Sequence, residues 1–217
     1  SASESWMVSH RDVEQARALA PGADVRYVPN VVDVSSITPV TPAGEQRALL
    51  VADFGWPPNT QAARLLVDQV FPLVWRELPE ARLRLVGRGL PPDIADDERV
   101  EAVGFVEHLR DAYVASDCAV VPLLTGGGSP LKFVEALAYG LPVVATPRAA
   151  AGLDAKAGDH YREGQHPQGL ARALVEVLSS GAPEMAARGR ALAEENYSIE
   201  ALARILASRP AAMEVGS

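Results

Sequence analysis

The sequence is poor in cysteine and in lysine, and it has no long apolar run. Its 217 residues include one cysteine, Cys118, and the formal net charge at pH 7 is −8. A single cysteine cannot form a disulfide within the chain, which fits a reducing compartment. An acidic chain lacks the basic surface that phosphate contacts require, and no apolar segment approaches the roughly 18 residues of a membrane span. We therefore expect a cytoplasmic protein without a nucleic-acid partner or a transmembrane segment.

The first residue is serine rather than methionine, and no secretory signal follows it. We therefore expect the chain to be a piece of a longer protein. For the full-length protein, peripheral attachment to the inner face of the membrane is an alternative location.

Motifs that would define other classes of site are missing from the sequence. Gly87-Arg88-Gly89 begins like a dinucleotide fingerprint, but Pro92 stands where that motif has its third glycine. No Asp-x-Asp sequence occurs, and the four histidines lack the spacing of metal ligands. We therefore expect neither a metal nor a cofactor.

Short apolar segments alternate with helix-like segments from residue 47 onward. Several of the apolar segments are continuous rather than alternating, which is typical of strands buried on both faces of a sheet. This order predicts an α/β fold with a doubly wound, mainly parallel sheet of about six strands and helices on both faces. The predicted strands are residues 25–28, 48–52, 83–86, 100–103, 118–121 and 142–145, with one more near residues 160–161.

The segments between the strands predict helices. Apolar residues from Ala63 to Val74 recur at helical spacing, and Asn59 or Thr60 is the expected cap of that helix. Further helices are predicted at residues 12–20, 108–116, 130–139, 167–180, 184–196 and 199–208.

A glycine-rich loop before a helix is the most informative segment of the chain. Three glycines at 126–128 precede Ser129, the expected helix cap, and Pro130, the expected first helical residue. Glycines allow a ligand to approach the backbone, and free amides at a helix start attract an anion. The positive charge of Lys132 in the first turn is unfavourable next to the positive end of the helix dipole, and a bound anion would offset this cost. Glu135, three residues later, lies on the same face of the helix as Lys132. The alternative is an ordinary surface Lys–Glu pair.

The other strand ends of a parallel sheet carry loops to the same edge. These loops are 53–56, 87–89 and 104–106, and each contains a glycine. Arg88 would suit a diphosphate, since a guanidinium bonds two oxygens at once.

Taken together, the segments 104–106, 115–123 and 126–146 resemble the donor domain of GT-B retaining glycosyltransferases of the group 1, or family four, type. Residues 28–33 are similar to the stretch that joins the two domains of those enzymes, although Val31 stands where the family usually has glycine. The loops 52–59 and 85–89 are similar to its first two donor-domain strand ends. The resemblance covers residues 6–197.

The resemblance implies a UDP-, GDP- or ADP-linked sugar as donor, transferred with retention and usually without a metal. It implies that Glu135 holds the ribose hydroxyls, that the backbone of residues 105–106 meets the base, and that Arg88 and Lys132 supply positive charge. These three side chains are the predicted catalytic set. The predicted donor-binding residues are Gly55, Phe105, Val106, Gly127, Gly128, Ser129, Pro130 and Leu131.

The resemblance also implies a domain organisation. Residues 1–33 are interpreted as a remnant of the N-terminal domain with the crossover, and 34–46 as a linker. Residues 47–197 form the donor-binding domain, and 198–217 a C-terminal helix and tail. The acceptor-binding domain of the same polypeptide is therefore an expected partner, and we expect the isolated chain to bind nucleotide sugars weakly and to transfer nothing.

Two departures from the family pattern leave alternatives open. Gly127 stands eight residues before Glu135, where the family has another glutamate, and the loop after the first donor-domain strand lacks the usual Arg and Lys. A non-catalytic nucleotide-sugar-binding or scaffold module is the main alternative. A GT-B-like epimerase and a dinucleotide oxidoreductase are the others.

Overall fold

The computed structural model describes residues 4–94, 96–126 and 129–208. Its main body is a six-stranded sheet in the order β5-β4-β3-β6-β7-β8, in which every neighbouring pair is parallel. Two further strands, β1 and β2, form a separate parallel pair. In chain order the strands are β1 Ser5–Met7, β2 Val25–Tyr27, β3 Arg47–Val51, β4 Arg82–Val86, β5 Val100–Gly104, β6 Cys118–Val121, β7 Val143–Ala145 and β8 Arg162–Glu163.

Helices connect the strands and pack in two groups against the sheet. Helix α7 contacts α3, β3 and β7, whereas α5 contacts α8, β6 and β7. The doubly wound α/β architecture with about six parallel strands is therefore confirmed. The helices are α1 His10–Leu19, α2 Pro57–Leu65, α3 Phe71–Glu77, α4 Leu109–Val114, α5 Leu131–Ala138, α6 Pro147–Ala150, α7 Pro167–Ser180, α8 Pro183–Asn196 and α9 Ile199–Ala207.

The apolar runs are buried for the reason that their composition predicts. All residues of β6 and β7 are buried, because helices cover both faces of a parallel sheet. Cys118 lies in this core as a small apolar residue, and burial raises the pKa of its thiol well above the ordinary value.

The strand predictions differ from the structure mainly at the ends of the chain. Strand β1 was not predicted, because its sequence Ser5-Trp6-Met7 forms no continuous apolar run. The strand expected at 160–161 is β8, which lies two residues later, while Tyr161 forms only an isolated bridge with Ala157.

The cap predicted for the long helix is wrong. Helix α2 begins at Pro57 with Trp56 as its cap, and a π-helical turn at Leu66–Val70 separates it from α3. Proline is favourable in a first helical turn, where its missing N–H costs nothing. Asn59 and Thr60 instead donate to the carbonyls of Asp53 and Phe54, and so bind the preceding loop to the helix.

The segment predicted as a linker is bound to the main body along its length. Arg190 on α8 donates to the carbonyl oxygens of Val34 at 3.2 Å and Ile37 at 3.0 Å. Asp117, which is buried, accepts from the amides of Gly44 at 2.6 Å and Arg47 at 2.8 Å. These contacts fix the path by which the chain enters β3.

The N-terminal β1-α1-β2 unit rests on the C-terminal helices. Arg26 donates to the Ser208 carbonyl at 2.9 Å, and the amide of Val32 donates to the Tyr197 carbonyl at 2.9 Å. His10 Nε2 lies 3.4 Å from Asp154 Oδ1. The first and last parts of the described chain therefore pack together beside the main sheet.

The loops that follow β3 and β4 meet closely at Gly87. The amide of Ala52 donates to Val86 and that of Phe54 donates to Arg88, so the two loops run side by side. Gly87 has a φ of 140°, and a Cβ built there would lie 1.7 Å from the carbonyl oxygen of Ala52. Only glycine fits this position without moving the backbone.

We predict that Gly87→Ala destabilises the fold by at least about 3 kcal/mol, because backbone must move to admit the methyl group. Gly158→Ala is the matched control, since Gly158 also has a positive φ of 80° but has open space around it. That control should cost only about 1 kcal/mol. Urea unfolding followed by circular dichroism measures both, and equal losses would contradict the steric argument.

Candidate functional site

The sheet has a switch point between β3 and β6. The chain runs outward from β3 through β4 to β5, then returns to β6 on the other side of β3. In open parallel sheets, loops on the two sides of such a point separate and leave a crevice at the carboxyl ends of the strands. The loop after β3 and the glycine-rich loop after β6 flank this crevice.

Hydrogen bonds cross the crevice between these two connections: Thr125 in the loop after β6 donates to Oε1 of Gln61 on α2 at 3.4 Å, and Lys132 makes a second such bond. Lys132 on α5 donates from Nζ to Oδ1 of Asn59, which lies in the first turn of α2. The other side of the Asn59 amide donates to the Asp53 carbonyl at 2.7 Å, so the orientation of the buried amide is fixed at both ends. The sequence predicted a role for Lys132 but did not identify Asn59 as its hydrogen-bond partner.

Burial changes the acidity of the Lys132 ammonium group. Loss of water lowers its pKa from 10.5 to about 8, and the negative charge of Glu135 opposes part of that shift. Lys132 is nevertheless partly exposed, and Asn59 is neutral. Asn59 therefore holds the Lys132 ammonium group in place without neutralising its positive charge.

Glu135 lies one turn further along α5, beside a buried aromatic pair. Burial raises the pKa of its carboxyl group, while a hydrogen bond from Tyr113 and the charge of Lys132 lower it. The Tyr113 ring is buried and stacks on Tyr139, with centroids 4.1 Å apart and an interplanar angle of 15°. Glu135 is thus positioned on the Lys132 face, as its spacing predicts, and it is partly exposed.

The start of α5 differs from the prediction by one residue. Pro130 is the cap residue with an extended ψ of 115°, and Leu131 is the first helical residue. Ser129 therefore does not cap the helix. Its hydroxyl is buried without a hydrogen-bond partner among the described residues, and its carbonyl accepts from Asn30 at 2.8 Å. Pro130 offers no side-chain acceptor, and the Phe133 amide donates to the Pro130 carbonyl at 3.0 Å. The amides of Leu131 and Lys132 have no acceptor among the described residues, so these two are available to an anion.

Arg88 lies beside Phe105, at the loops that follow β4 and β5. Its guanidinium carbon is 4.2 Å from the centroid of the Phe105 ring, which is 61% exposed. Both side chains line a 420 Å³ cavity between the loops that follow β4 and β5. The structure thus brings Arg88 together with the segment assigned to the base.

The remaining predicted residues are distributed around the crevice. The Gly55 amide donates to Asp53 Oδ1 at 2.9 Å, and Val106 packs partly buried against the core. Leu131 is exposed at the first position of α5. Gly127 and Gly128 lie outside the described residues.

A second cavity of 260 Å³ lies between α1 and the loop after β6. Trp56, which precedes α2, forms part of its wall, and Arg11 of α1 and Arg148 of α6 also line it. Sequence reasoning missed the two arginines, because they come from distant segments and belong to no local motif. Trp56 was visible only as an aromatic residue in a strand-end loop.

Within residues 4–94, 96–126 and 129–208, no group of three His, Cys, Asp or Glu side chains is placed to hold a metal ion. The helices in these same ranges are each too short or too polar to cross a membrane.

Residues 45–180 match the family model described as glycosyl transferases group 1, a match that spans more than half of the chain. The chain belongs to the group 1 glycosyltransferase family. A sequence comparison with curated proteins finds no match.

Solved structures of GT-B glycosyltransferases share the fold. Staphylococcus aureus TarM, in a complex that contains UDP, has a TM-score of 0.80 at 16% identity, covering 94% of this chain and 43% of TarM. Sucrose-phosphate synthase from Thermosynechococcus elongatus has a TM-score of 0.75 at 21% identity, covering 93% and 56%. Anabaena HepE in complex with UDP-glucose has a TM-score of 0.74 at 17% identity, covering 96% and 64%. The chain spans about half the length of these structures.

The lowered pKa of Lys132 predicts a pH-dependent contribution to stability. Between about pH 8 and pH 10.5 the unfolded chain holds this proton and the folded chain does not, so stability due to Lys132 rises with pH in that window. The wild type should therefore gain stability relative to Lys132→Met across it. Urea unfolding at several pH values measures the difference.

Lys156→Met is the matched control, because Lys156 is the other lysine of the sequence and is exposed. The difference between wild type and this control should not change with pH in the window. A flat difference for Lys132→Met as well would show that its ammonium is not desolvated.

Proposed function

We propose that this chain is the donor-binding domain of a retaining glycosyltransferase, which transfers a sugar from a UDP-, GDP- or ADP-linked donor to a glycan or another acceptor. The observation that carries the proposal is the group at the switch point. There the uncapped start of α5, the Lys132 ammonium and the Glu135 carboxylate lie together at the edge where open α/β sheets bind ligands.

Each of these groups suits one part of a nucleoside diphosphate. The first amides of α5 and the positive end of its dipole favour the diphosphate, and the buried Ser129 hydroxyl lies at the same helix start. A carboxylate such as Glu135 accepts two hydrogen bonds, which matches the two hydroxyls of a ribose. Arg88 and Phe105 then offer the next cavity along the edge, of suitable size for a base.

The proposed mechanism is electrostatic. When the bond between sugar and diphosphate breaks, negative charge grows on the leaving oxygen. Donors that are already oriented at that position stabilise the transition state more than the ground state. Helix amides and Lys132, which is fixed by Asn59, are such donors. No metal is required in this scheme.

The second half of the active site belongs, on this proposal, to an N-terminal acceptor-binding domain of the same polypeptide. The chain corresponds to 43% of TarM and 64% of HepE, whose complexes contain UDP and UDP-glucose respectively. Transfer by the isolated chain is therefore not expected. A non-catalytic sugar-nucleotide-binding module is the second candidate, and glycine at 127 in place of the family glutamate favours it.

We predict that UDP, GDP or ADP binds the chain in preference to NAD. We also predict that Glu135→Ala weakens binding of the preferred nucleotide about tenfold, because a charged acceptor of the ribose hydroxyls is lost. Isothermal titration calorimetry measures the affinities. The 2′-deoxy nucleotide tests the assignment directly, since it should lose less affinity on the same substitution.

Glu77→Ala is the control for this prediction, because Glu77 is an exposed glutamate on α3. It should leave the affinity unchanged, and thermal unfolding shows whether Glu135→Ala remains folded. Equal losses for the ribose and 2′-deoxyribose nucleotides would contradict contact between Glu135 and the 2′ hydroxyl. No binding of any nucleotide would contradict the proposed function.

The pKa of Lys132 predicts that nucleotide affinity falls as pH rises. An ammonium group with a pKa of about 8 is mostly protonated at pH 7 and mostly neutral at pH 9. If a bound diphosphate needs the charged form, affinity should fall about tenfold over this interval. Lys132→Met should bind more weakly at pH 7 and show a smaller dependence on pH. Identical pH profiles for the two proteins would exclude a role for the Lys132 charge.

A further inference from the structure

The 260 Å³ cavity beside the loop after β6 adjoins the proposed diphosphate site. Gly126 and Pro130, which lie in that loop, line the cavity, and Pro130 is the cap residue of α5. The volume equals that of roughly nine water molecules at about 30 Å³ each, which is the scale of one monosaccharide unit. A group attached to a diphosphate at α5 would therefore enter this cavity.

An exposed aromatic ring forms part of the cavity. Trp56 is 47% exposed although it lies next to the sheet, and its ring lies so close to Gly126 that an added Cβ would come within 3.1 Å of it. An indole combines a large apolar face with a polar edge, and the C–H face of a pyranose can pack on such a surface. Gln15 and Asp12 on α1 supply hydrogen-bonding groups on the other side.

The cavity also carries more positive than negative charge. Arg11 enters from the first turn of α1 and Arg148 from α6, whereas Asp12 is the one carboxylate in its lining. Arg148 donates to the carbonyl of Gly126, which fixes the guanidinium and leaves further N–H groups free. Arg11 forms no hydrogen bond or ion pair with any residue in the described ranges. Two guanidinium groups with unused donors, one of them fixed in place, suit a carboxylate.

We infer that this cavity selects a donor whose sugar carries a carboxylate, that is, a nucleotide-linked uronic acid. Trp56 packs against the pyranose ring, and Arg11 and Arg148 bind its carboxylate. The inference rests on the proposed function, because it places the sugar by its link to a diphosphate at α5. It adds the class of sugar, which the nucleotide-binding groups do not determine.

The test compares donors that differ only in the carboxylate. Calorimetry compares UDP-glucuronate with UDP-glucose, and GDP-mannuronate with GDP-mannose. In the pair whose nucleotide base the chain prefers, the uronate should bind about five- to tenfold more tightly at low salt. Arg11→Met should reduce this ratio to near one without changing the affinity for the nucleoside diphosphate alone. Arg172→Met, which removes an exposed arginine from α7, should leave the ratio unchanged.

Trp56→Ala tests the ring contact separately. It should weaken binding of both members of a donor pair and leave the affinity for the nucleoside diphosphate unchanged. A wild-type ratio of one or less, or equal ratios in Arg11→Met and Arg172→Met, would overturn the inference while nucleotide binding still supported the proposed function. If none of UDP, GDP and ADP binds, the proposed function and the inference fail together.

Discussion

The hydrogen bond between Lys132 and Asn59 is the contact on which the arrangement of the crevice depends. A partly buried ammonium loses hydration, and it must recover hydrogen bonds from the protein. Asn59 supplies an oriented oxygen, and because its amide nitrogen is bound to the Asp53 carbonyl, the loop after β3 is tied to the helix after β6. The two sides of the switch point are thereby held at a fixed separation. A neutral partner also leaves the positive charge available to an anion, which a carboxylate partner would neutralise.

The local parts of this site could be predicted from sequence. Lys132 and Glu135 share a helix face because they are three residues apart, and the helix follows from the apolar spacing around them. The buried strands followed from continuous apolar runs, as β6 shows. The predicted cap at Ser129 failed for a local reason: Pro130 adopts an extended ψ, so the helix begins after it, and Ser129 lies one residue too early to bond the first-turn amides.

The parts that sequence did not predict are contacts between distant segments. Asn59 and Lys132 are 73 residues apart, and a capping role for Asn59 was equally consistent with its position. Arg190 anchors the segment before β3 from more than 150 residues away. Arg11 and Arg148 meet at one cavity only because the β1-α1-β2 unit rests against the main body. The topology of the fold determines these contacts between distant residues, and no short sequence motif predicts them.

Under the proposed function, contacts to the nucleotide supply most of the free energy with which the donor binds. Interactions that hold substrate and transition state equally well improve affinity without increasing the rate of the chemical step. In the proposed mechanism, Lys132 and the α5 amides meet this additional requirement, because the negative charge on the leaving diphosphate would increase as its bond to the sugar breaks. Their effect is strong only where water is excluded, and the crevice of a single domain is open to solvent. A second domain that closes over the same edge would therefore convert a binding surface into a catalytic one, without any change in the residues of this chain.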